Sequence, residues 1–389
     1  MKVTRVRAIP FVYERERPIG DANLPQGSRW MSYVAVLIDT DEGLMGSGLT
    51  ISGCEAAVEG LAQHVVGEDP GRVRGLWERM ASVLFKRGVA GAAAHALAGI
   101  DMALWDLKAK ERNEPLWRTL GADGRPVAGY ASGIDMPLSD DELRAHYEGM
   151  AALGFTAGKL KIGLDPTADH RRLGIMRDAL VSGAGQATLL VDVNELWTAK
   201  QAIRRIGALE EDYDIAWVEE PVDRFDGRGL RQVSDGVRAA VATGENLTDV
   251  QSFLTLVQAR AVDVVQPGVL CGGFTGVLRV AELAYAHNLP IAMMNCPGHV
   301  LAHVAALFPT HWMMEVLDPV EPAVVRSSTR VAQGMIHLNE DPGHGMSIDE
   351  EQLAAHHPSM VRALATEELY SRHPNARRHE AGWQRGETA

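Results

Sequence analysis

From about Pro126 onward the chain repeats one pattern: a short apolar run closing on a polar residue, a loop, then a stretch of helical periodicity. The runs close at Lys161 in "GKLKI", Asp192 in "TLLVDVN", Glu219 in "IAWVEEP", Glu245 in "AVATGEN", Pro267 in "AVDVVQP", Asn295 in "PIAMMN" and Glu315 in "WMMEVLD", in steps of 31, 27, 26, 22, 28 and 20 residues. An eight-unit (β/α) barrel of about 250 residues uses roughly 30 residues per unit. The spacing therefore predicts a barrel, with "PVAGYASGID" as its first strand. A doubly wound open sheet is the alternative, but no GxGxxG follows an early strand, and the barrel ranks above it. The first 125 residues read differently. "VTRVRAIPFVY" alternates, "WMSYVAVLIDTDEGLMGSG" reads as strand, DEG turn and strand, and helical patterns follow from about Glu55 to Lys110. The expected divisions are an α+β domain over 1–125, a barrel over 126–325 and a C-terminal segment over 326–389.

At 389 residues the chain is long enough for two cores. Its net charge of −13 argues against nucleic acid or an anionic membrane surface as partner. Cys54, Cys271 and Cys296 are three in number and lack CxxC spacing, so neither a disulfide framework nor a cysteine zinc site is indicated. No run of about 18 apolar residues occurs, and the first 20 residues lack the apolar core of a leader. A cytoplasmic protein acting on a small molecule is the expectation.

Barrel enzymes carry their chemistry at the C-terminal ends of the strands. Asp192, Glu219 and Glu245 close three consecutive predicted strands and so fall side by side around one mouth. Three gathered carboxylates repel unless a cation neutralises them, and an all-oxygen set suits Mg²⁺ better than zinc. One strand earlier, Lys159 and Lys161 stand two apart and share a face. Each disfavours the other's charged form, which is expected to bring Lys161 from about 10.4 toward about 7 to 8 and make it a general base.

The ordered set "IDMALWDLKAK", "KLKIG", "VDVNELW", "VEEP", "TGEN" and "DPGHGMSIDEEQL" resembles the enolase superfamily, mandelate racemase subgroup, over nearly the whole chain. The use of a Lys or His base with Mg²⁺ in that superfamily is a known example, not a deduction from this sequence. The resemblance implies a capping α+β domain, a modified (β/α)₇β barrel and a C-terminal segment returning to the cap. It implies that Asp192, Glu219 and Glu245 bind Mg²⁺ and that Lys161 removes a proton α to a carboxylate. It assigns Lys159 and Asn194 to the substrate carboxylate, Glu315 to the developing enediolate and Ser132 to the carboxylate's neighbourhood. Glu315 must then hold its proton near neutrality, in an apolar setting such as Trp312 and Met313 provide. A homo-oligomer is also expected for this type of enzyme.

Two positions depart from the family. Racemases of the subgroup pair an Asp after strand six with a His after strand seven; here Gly268 and Asn295 stand in those places. Racemisation needs a base on each face of the α-carbon, whereas dehydration needs one. Loss of water from an acid sugar or other hydroxy-carboxylate is therefore the leading expectation. The alternatives are a racemase or epimerase using His299 or Cys296, and a metal- and ligand-binding protein without turnover. A segment with Arg15, Arg17 and Arg29 is a candidate lid over the mouth that binds a second carboxylate.

Overall fold

The computed structural model describes residues 1–86, 88–181, 185–319 and 321–356. Part of the expected C-terminal segment, residues 357–389, lies outside the described residues. The chain begins with an antiparallel meander of β1 (Val3–Ile19), β2 (Ser28–Thr40) and β3 (Met45–Ile51). The DEG sequence makes the β2–β3 turn, with Gly43 at φ +79°, a conformation that favours glycine. Three helices, α1 (Glu55–Ala62), α2 (Val73–Val83) and α3 (Ala92–Glu111), complete this layer. Helix α3 lies so close to β3 that a Cβ at Gly48 would stand 2.0 Å from the Gly99 carbonyl oxygen. Glycine at both positions is what permits that packing.

A short helix α4 (Leu116–Leu120) leads into eight parallel strands: β4 (Val127–Ser132), β5 (Ala157–Lys161), β6 (Thr188–Asp192), β7 (Ile215–Glu219), β8 (Ala240–Thr243), β9 (Val264–Val265), β10 (Ile291–Met293) and β11 (His311–Val316). Each pairs with the next, and β11 pairs with β4, so the sheet closes. Seven helices alternate with them: α5 (Asp140–Ala152), α6 (Pro166–Val181), α7 (Ala199–Leu209), α8 (Gly227–Gly236), α9 (Val250–Gln258), α10 (Gly273–Ala286) and α11 (Ala302–Ala305). The fold is a capping domain on a (β/α)₇β barrel, as expected. Among the described residues no helix is long and apolar enough to cross a membrane.

Side chains alternate inward and outward along each strand. One inward residue from every barrel strand, Tyr130, Ala157, Leu190, Trp217, Ala242, Val264, Ala292 and Met313, meets in a buried apolar layer. The next inward residues, two positions on, form the floor of the mouth. After β11 the chain adds β12 (Val325–Ser327) and the hairpin of β13 (Arg330–Ala332) and β14 (Met335–His337), which pairs with the start of β4. It then runs through β15 (Met346–Ile348) to α12 (Glu350–Ala355), whose Glu350 is bonded to Arg7 of β1 at 2.6 Å.

Buried polar groups join cap, barrel and C-terminal segment, and they account for two of the quoted motifs. In "IDMALWDLKAK", Asp101 accepts from Thr275 N at 2.8 Å and Thr275 Oγ1 at 2.6 Å, at the start of α10. Asp106 accepts from Ser47 N at 3.0 Å, Lys110 Nζ at 2.6 Å and His344 N at 3.1 Å. His344, from "DPGHG", contacts the Ser47 carbonyl at 2.7 Å. These contacts satisfy buried groups that would each cost about 1–3 kcal/mol if left unpaired, and they fix the cap over the barrel.

Candidate active site

Strand alternation builds the site two residues above the apolar layer. Lys159 follows Ala157, Asp192 follows Leu190, Glu219 follows Trp217, Gln266 follows Val264, Glu315 follows Met313 and Ser132 follows Tyr130. The ladder pairs Lys161 with Asp192 and Asp192 with Glu219. Strands β8, β9 and β10 stop two residues before the expected Glu245, Pro267 and Asn295. Gly244, at φ +130°, turns the chain out of β8, and Pro267 has no N–H to extend β9. Glu245 and Asn295 therefore stand on loops at the rim.

Oxygen atoms of Asp192, Glu219 and Glu245 lie within 4.8 Å of one another. Both lysines enter this group. Lys161 Nζ donates to Asp192 Oδ2 at 2.5 Å. Fully buried Lys159 reaches Glu219 Oε1 at 2.6 Å, Glu315 Oε1 at 3.1 Å and Asp192 Oδ2 at 3.4 Å. Gln266 Nε2 donates to Glu219 Oε2 at 2.6 Å. Asn295 donates to Glu315 Oε2 through its side chain, and through its backbone N–H at 3.2 Å. Asn194 caps the other side of Asp192, its N–H donating to Oδ1 at 2.9 Å. Its own Oδ1 is buried without a partner, and so is the Ser132 hydroxyl oxygen.

This arrangement corrects two expectations about protons. Burial lowers Lys161, but the touching Asp192 carboxylate outweighs both burial and Lys159 and raises it well above its ordinary value. Lys159 is likewise raised, burial being overcome by Glu219 and Glu315. Like-charge tuning between the lysines is therefore not the dominant effect in this ion-paired state. Burial raises Glu315, yet Lys159 and Lys161, with the hydrogen bonds from Asn295, take it down to about 2. It is a carboxylate here, not the acid expected. Trp312 does not enclose it: this ring is 37% exposed and packs edge-on against Trp217.

The carboxylates themselves diverge. Asp192 is held down to about 2 by the lysines against its burial, whereas Glu219 is pushed well up by burial and its acidic neighbours, and Glu245 is also raised by burial. Burial and mutual repulsion oppose ionising all three carboxylates together, and a divalent cation would supply the positive charge that favours it. Hard oxygen donors on three neighbouring strands, with room for water at the rim, fit Mg²⁺. The donor set fits the ion that the sequence suggested.

Sequence reasoning missed Gln266 and Glu220. The signal for Gln266 was the inward period of two from Val264; an amide after "VV" carries no charge to notice. Glu220 is buried with φ +42° and accepts at 3.0 Å from the side-chain amide of Asn246, the residue after Glu245. Also unforeseen is the bracing of Lys161 from below: its backbone N–H donates to Asp135 Oδ1 at 3.1 Å, and Asp135 accepts from Tyr147 at 2.7 Å.

Around the barrel, Asn295 is separated from β5 by β4 and β11 on one side. Of the alternative acids, Cys296 is buried, with its thiol pushed up to about 12 by that burial. His299 is buried, taken down to about 4 by desolvation, and lies 3.6 Å from Glu321, not from a site carboxylate. The candidate lid segment, residues 15–30, divides between the cap strands and the mouth. Arg15 and Arg17 belong to β1 and share Asp318, and Arg17 also donates to the Gly133 carbonyl. Arg29 is half exposed beside Glu14 at 3.3 Å. The segment that does cover the mouth is residues 20–23: Gly20 bridges Asp135, and Asn23 donates to the Asn194 carbonyl at 3.0 Å.

The chain matches two family models: "Mandelate racemase / muconate lactonizing enzyme, N-terminal domain" over residues 17–121 and "Enolase C-terminal domain-like" over residues 142–352. It is 31% identical over 329 residues to the 3,6-anhydro-alpha-L-galactonate cycloisomerase of Streptomyces coelicolor, covering 82% of this chain and 90% of that protein. It is 29% identical to the L-talarate/galactarate dehydratase of Salmonella typhimurium, covering 86% of each. A racemase from Streptomyces coelicolor, solved with bound magnesium, superposes with a TM-score of 0.83 at 30% identity, covering 91% of this chain and 99% of that one. The relatives thus include both lyase-type enzymes and racemases. With the cap, the closed barrel and the acidic mouth in place, this chain belongs to the enolase superfamily, in its mandelate racemase/muconate lactonizing enzyme subgroup.

Proposed function

We propose that this protein removes the proton α to the carboxylate of an acid sugar, using Lys161 and Mg²⁺, and expels the β-hydroxyl as water. Asp192, Glu219 and Glu245 would hold the ion. When bound it supplies Lewis-acid stabilisation of the charge that develops on the substrate carboxylate. Lys161 would give up its proton more readily once the negative charge of Asp192 is neutralised, because that carboxylate is what holds the ammonium charged. Neutral Lys161 then takes the α-proton, and the C–H electron pair becomes the C=C bond of an enediolate. Lys159 faces the growing negative charge. The new ammonium on Lys161 returns its proton to the β-hydroxyl on the same face, the C–O bond breaks, and water departs. The enol left behind tautomerises to a 2-oxo acid.

The observation that carries this reading is Asn295. A carboxamide, itself bonded to Glu315, occupies the sequence position at which racemases of the family are matched to carry their second base. An amide does not exchange a proton with carbon at neutral pH, so Lys161 is left to act alone. A binding protein without turnover has no use for a buried lysine pair matched to an acidic triad, and that reading ranks below. Incubating the protein and Mg²⁺ with a panel of aldonic and aldaric acids is expected to yield a 2-oxo acid from at least one, scored by reaction with semicarbazide. An epimer of the starting acid as the sole product would overturn the reading.

A further inference from the structure

The two lysines of β5 turn their backbone groups toward β4, whereas the next residue, Ile162, turns to β6 and donates its N–H to the Asp192 carbonyl at 2.9 Å. On the β4 side the ladder runs out, because its last pair is Ser132 with Lys159. Two side chains continue it. Asp135 Oδ1 accepts from the Lys161 N–H at 3.1 Å. The Tyr147 hydroxyl, from α5, stands between the Lys159 carbonyl at 2.5 Å and Asp135 Oδ2 at 2.7 Å and shares its proton between them. Asp135 and Tyr147 are both fully buried.

The chain bends sharply to put Asp135 there. Ile134 has φ +40°, an outlier for a β-branched residue, and a Cβ at Gly133 would stand 2.6 Å from Asp135 Oδ2. Such a turn persists only where its surroundings over-determine it. Here Arg17 of β1 donates to the Gly133 carbonyl at 2.5 Å, the Gly20 N–H to the Ile134 carbonyl at 2.8 Å and the Met136 N–H to the Gly20 carbonyl at 3.1 Å. From α6, Arg172 donates to the carbonyls of Asp135 and Leu138, each at 2.7 Å, and lies 3.4 Å from Asp135 Oδ1. Cap and barrel both hold the loop that carries this carboxylate, and the carboxylate touches the backbone of the residue assigned as base.

Resting on that assignment of Lys161, we infer that Asp135 is its positioning residue: by completing the strand edge at the Lys161 N–H it fixes the Cα from which the ammonium is aimed. A reacting side chain must be held to about 0.5 Å and 10–20°, and Lys161 is the last residue of β5. Without an acceptor on the β4 side, only the β6 side of this strand end stays bonded. Asp135 acts through its acceptor oxygen and not through its charge, so asparagine serves in its place. The amide oxygen accepts from Lys161, the NH₂ donates to Tyr147, and the Tyr147 proton goes wholly to the Lys159 carbonyl. Arg172 loses a buried counter-ion in that variant and keeps its two carbonyls, so the fold is weakened and the rate is not.

The test uses Mg²⁺-loaded enzyme and the acid of the aldonic and aldaric panel that the wild type turns over fastest, with kcat, KM, Mg²⁺ calorimetry and a thermal melt for each variant. Asp135→Ala is expected to lose roughly 30-fold in kcat, within the about 10²-fold that a misplacement of about 1 Å costs. Its KM and Mg²⁺ affinity should stay within about threefold of wild type, because no group that holds the acid or the ion has been removed. Asp135→Asn is expected to melt at a lower temperature yet keep kcat within roughly threefold of wild type, since its hydrogen bond to Lys161 survives. If Asp135→Ala does not fold, Tyr147→Phe takes its place: it keeps the ring, removes the hydroxyl from both acceptors and is expected to lose about tenfold in kcat. Wild-type kcat in the variant used, or an asparagine variant as slow as the alanine one, would overturn the positioning role while Lys161→Ala remains inactive. Lys161→Ala as fast as wild type, or a wild type inert toward the whole panel, would overturn the assigned base and this inference with it.

Discussion

Lys161→Ala is expected to lose turnover by about 10²–10⁴-fold, the usual contribution of a positioned general base. Exchange of the α-proton should fall with it, because Lys161 is the base assigned to that proton. Substrate affinity should change little, since the lysine is assigned to bond making and not to holding the acid. The lost ammonium also removes the partner of Asp192, so metal-free protein should be less stable while Mg²⁺ restores it. Single-turnover kinetics with calorimetry separate these effects. A variant that still exchanges the α-proton at the wild-type rate would remove Lys161 from the mechanism.

Mg²⁺ at 100 times its Kd is expected to stabilise the wild-type fold by about 2.7 kcal/mol, seen as a rise in Tm. Glu219→Gln should weaken Mg²⁺ binding by roughly 100-fold, about 2.8 kcal/mol, and abolish most of that rise. Its metal-free Tm should stay close to wild type for a specific reason. Burial raises Glu219 well above the ordinary carboxyl range, so removing its charge costs the metal-free fold less than it would at an ordinary carboxylate. Lys159 can still donate to the amide oxygen. Gln266, whose Oε1 is buried without a partner, can turn its amide to accept from the new NH₂. Titration of Mg²⁺ into both proteins, alongside thermal melts, checks the pair of statements. An unchanged Mg²⁺ affinity in the variant would take Glu219 out of the metal set.

Much of this site was legible because strand periodicity does two jobs at once. The apolar runs that predict a barrel also point their closing residues inward, so Asp192, Glu219 and the lysines could be placed together from spacing alone. What spacing does not show is how many opposite charges meet each group. Lys159 advertised a like charge beside Lys161; that three carboxylates from β6, β7 and β11 surround Lys159 emerges only when the barrel closes. Hence the lysines were expected to be depressed and are raised, and Glu315 was expected to be protonated and is ionised. The arginines of β1 failed for the same reason. Their partner, Asp318, is about 300 positions away, and a candidate lid became part of a cap strand. Asp101 and Asp106, inside the motif "IDMALWDLKAK", each satisfy buried donors on another element. Long-range pairing, not local pattern, fixes the protonation of a buried group.

The central claim is that the proton is handled on one face only. Proton NMR of acid sugar substrate recovered from wild-type enzyme and Mg²⁺ in D₂O tests it most directly. The expected result is a 2-oxo product, with any deuterium in recovered substrate introduced with retention of configuration at the α-carbon. Deuterium appearing in both epimers would show a second acid opposite Lys161 and contradict the reading of Asn295.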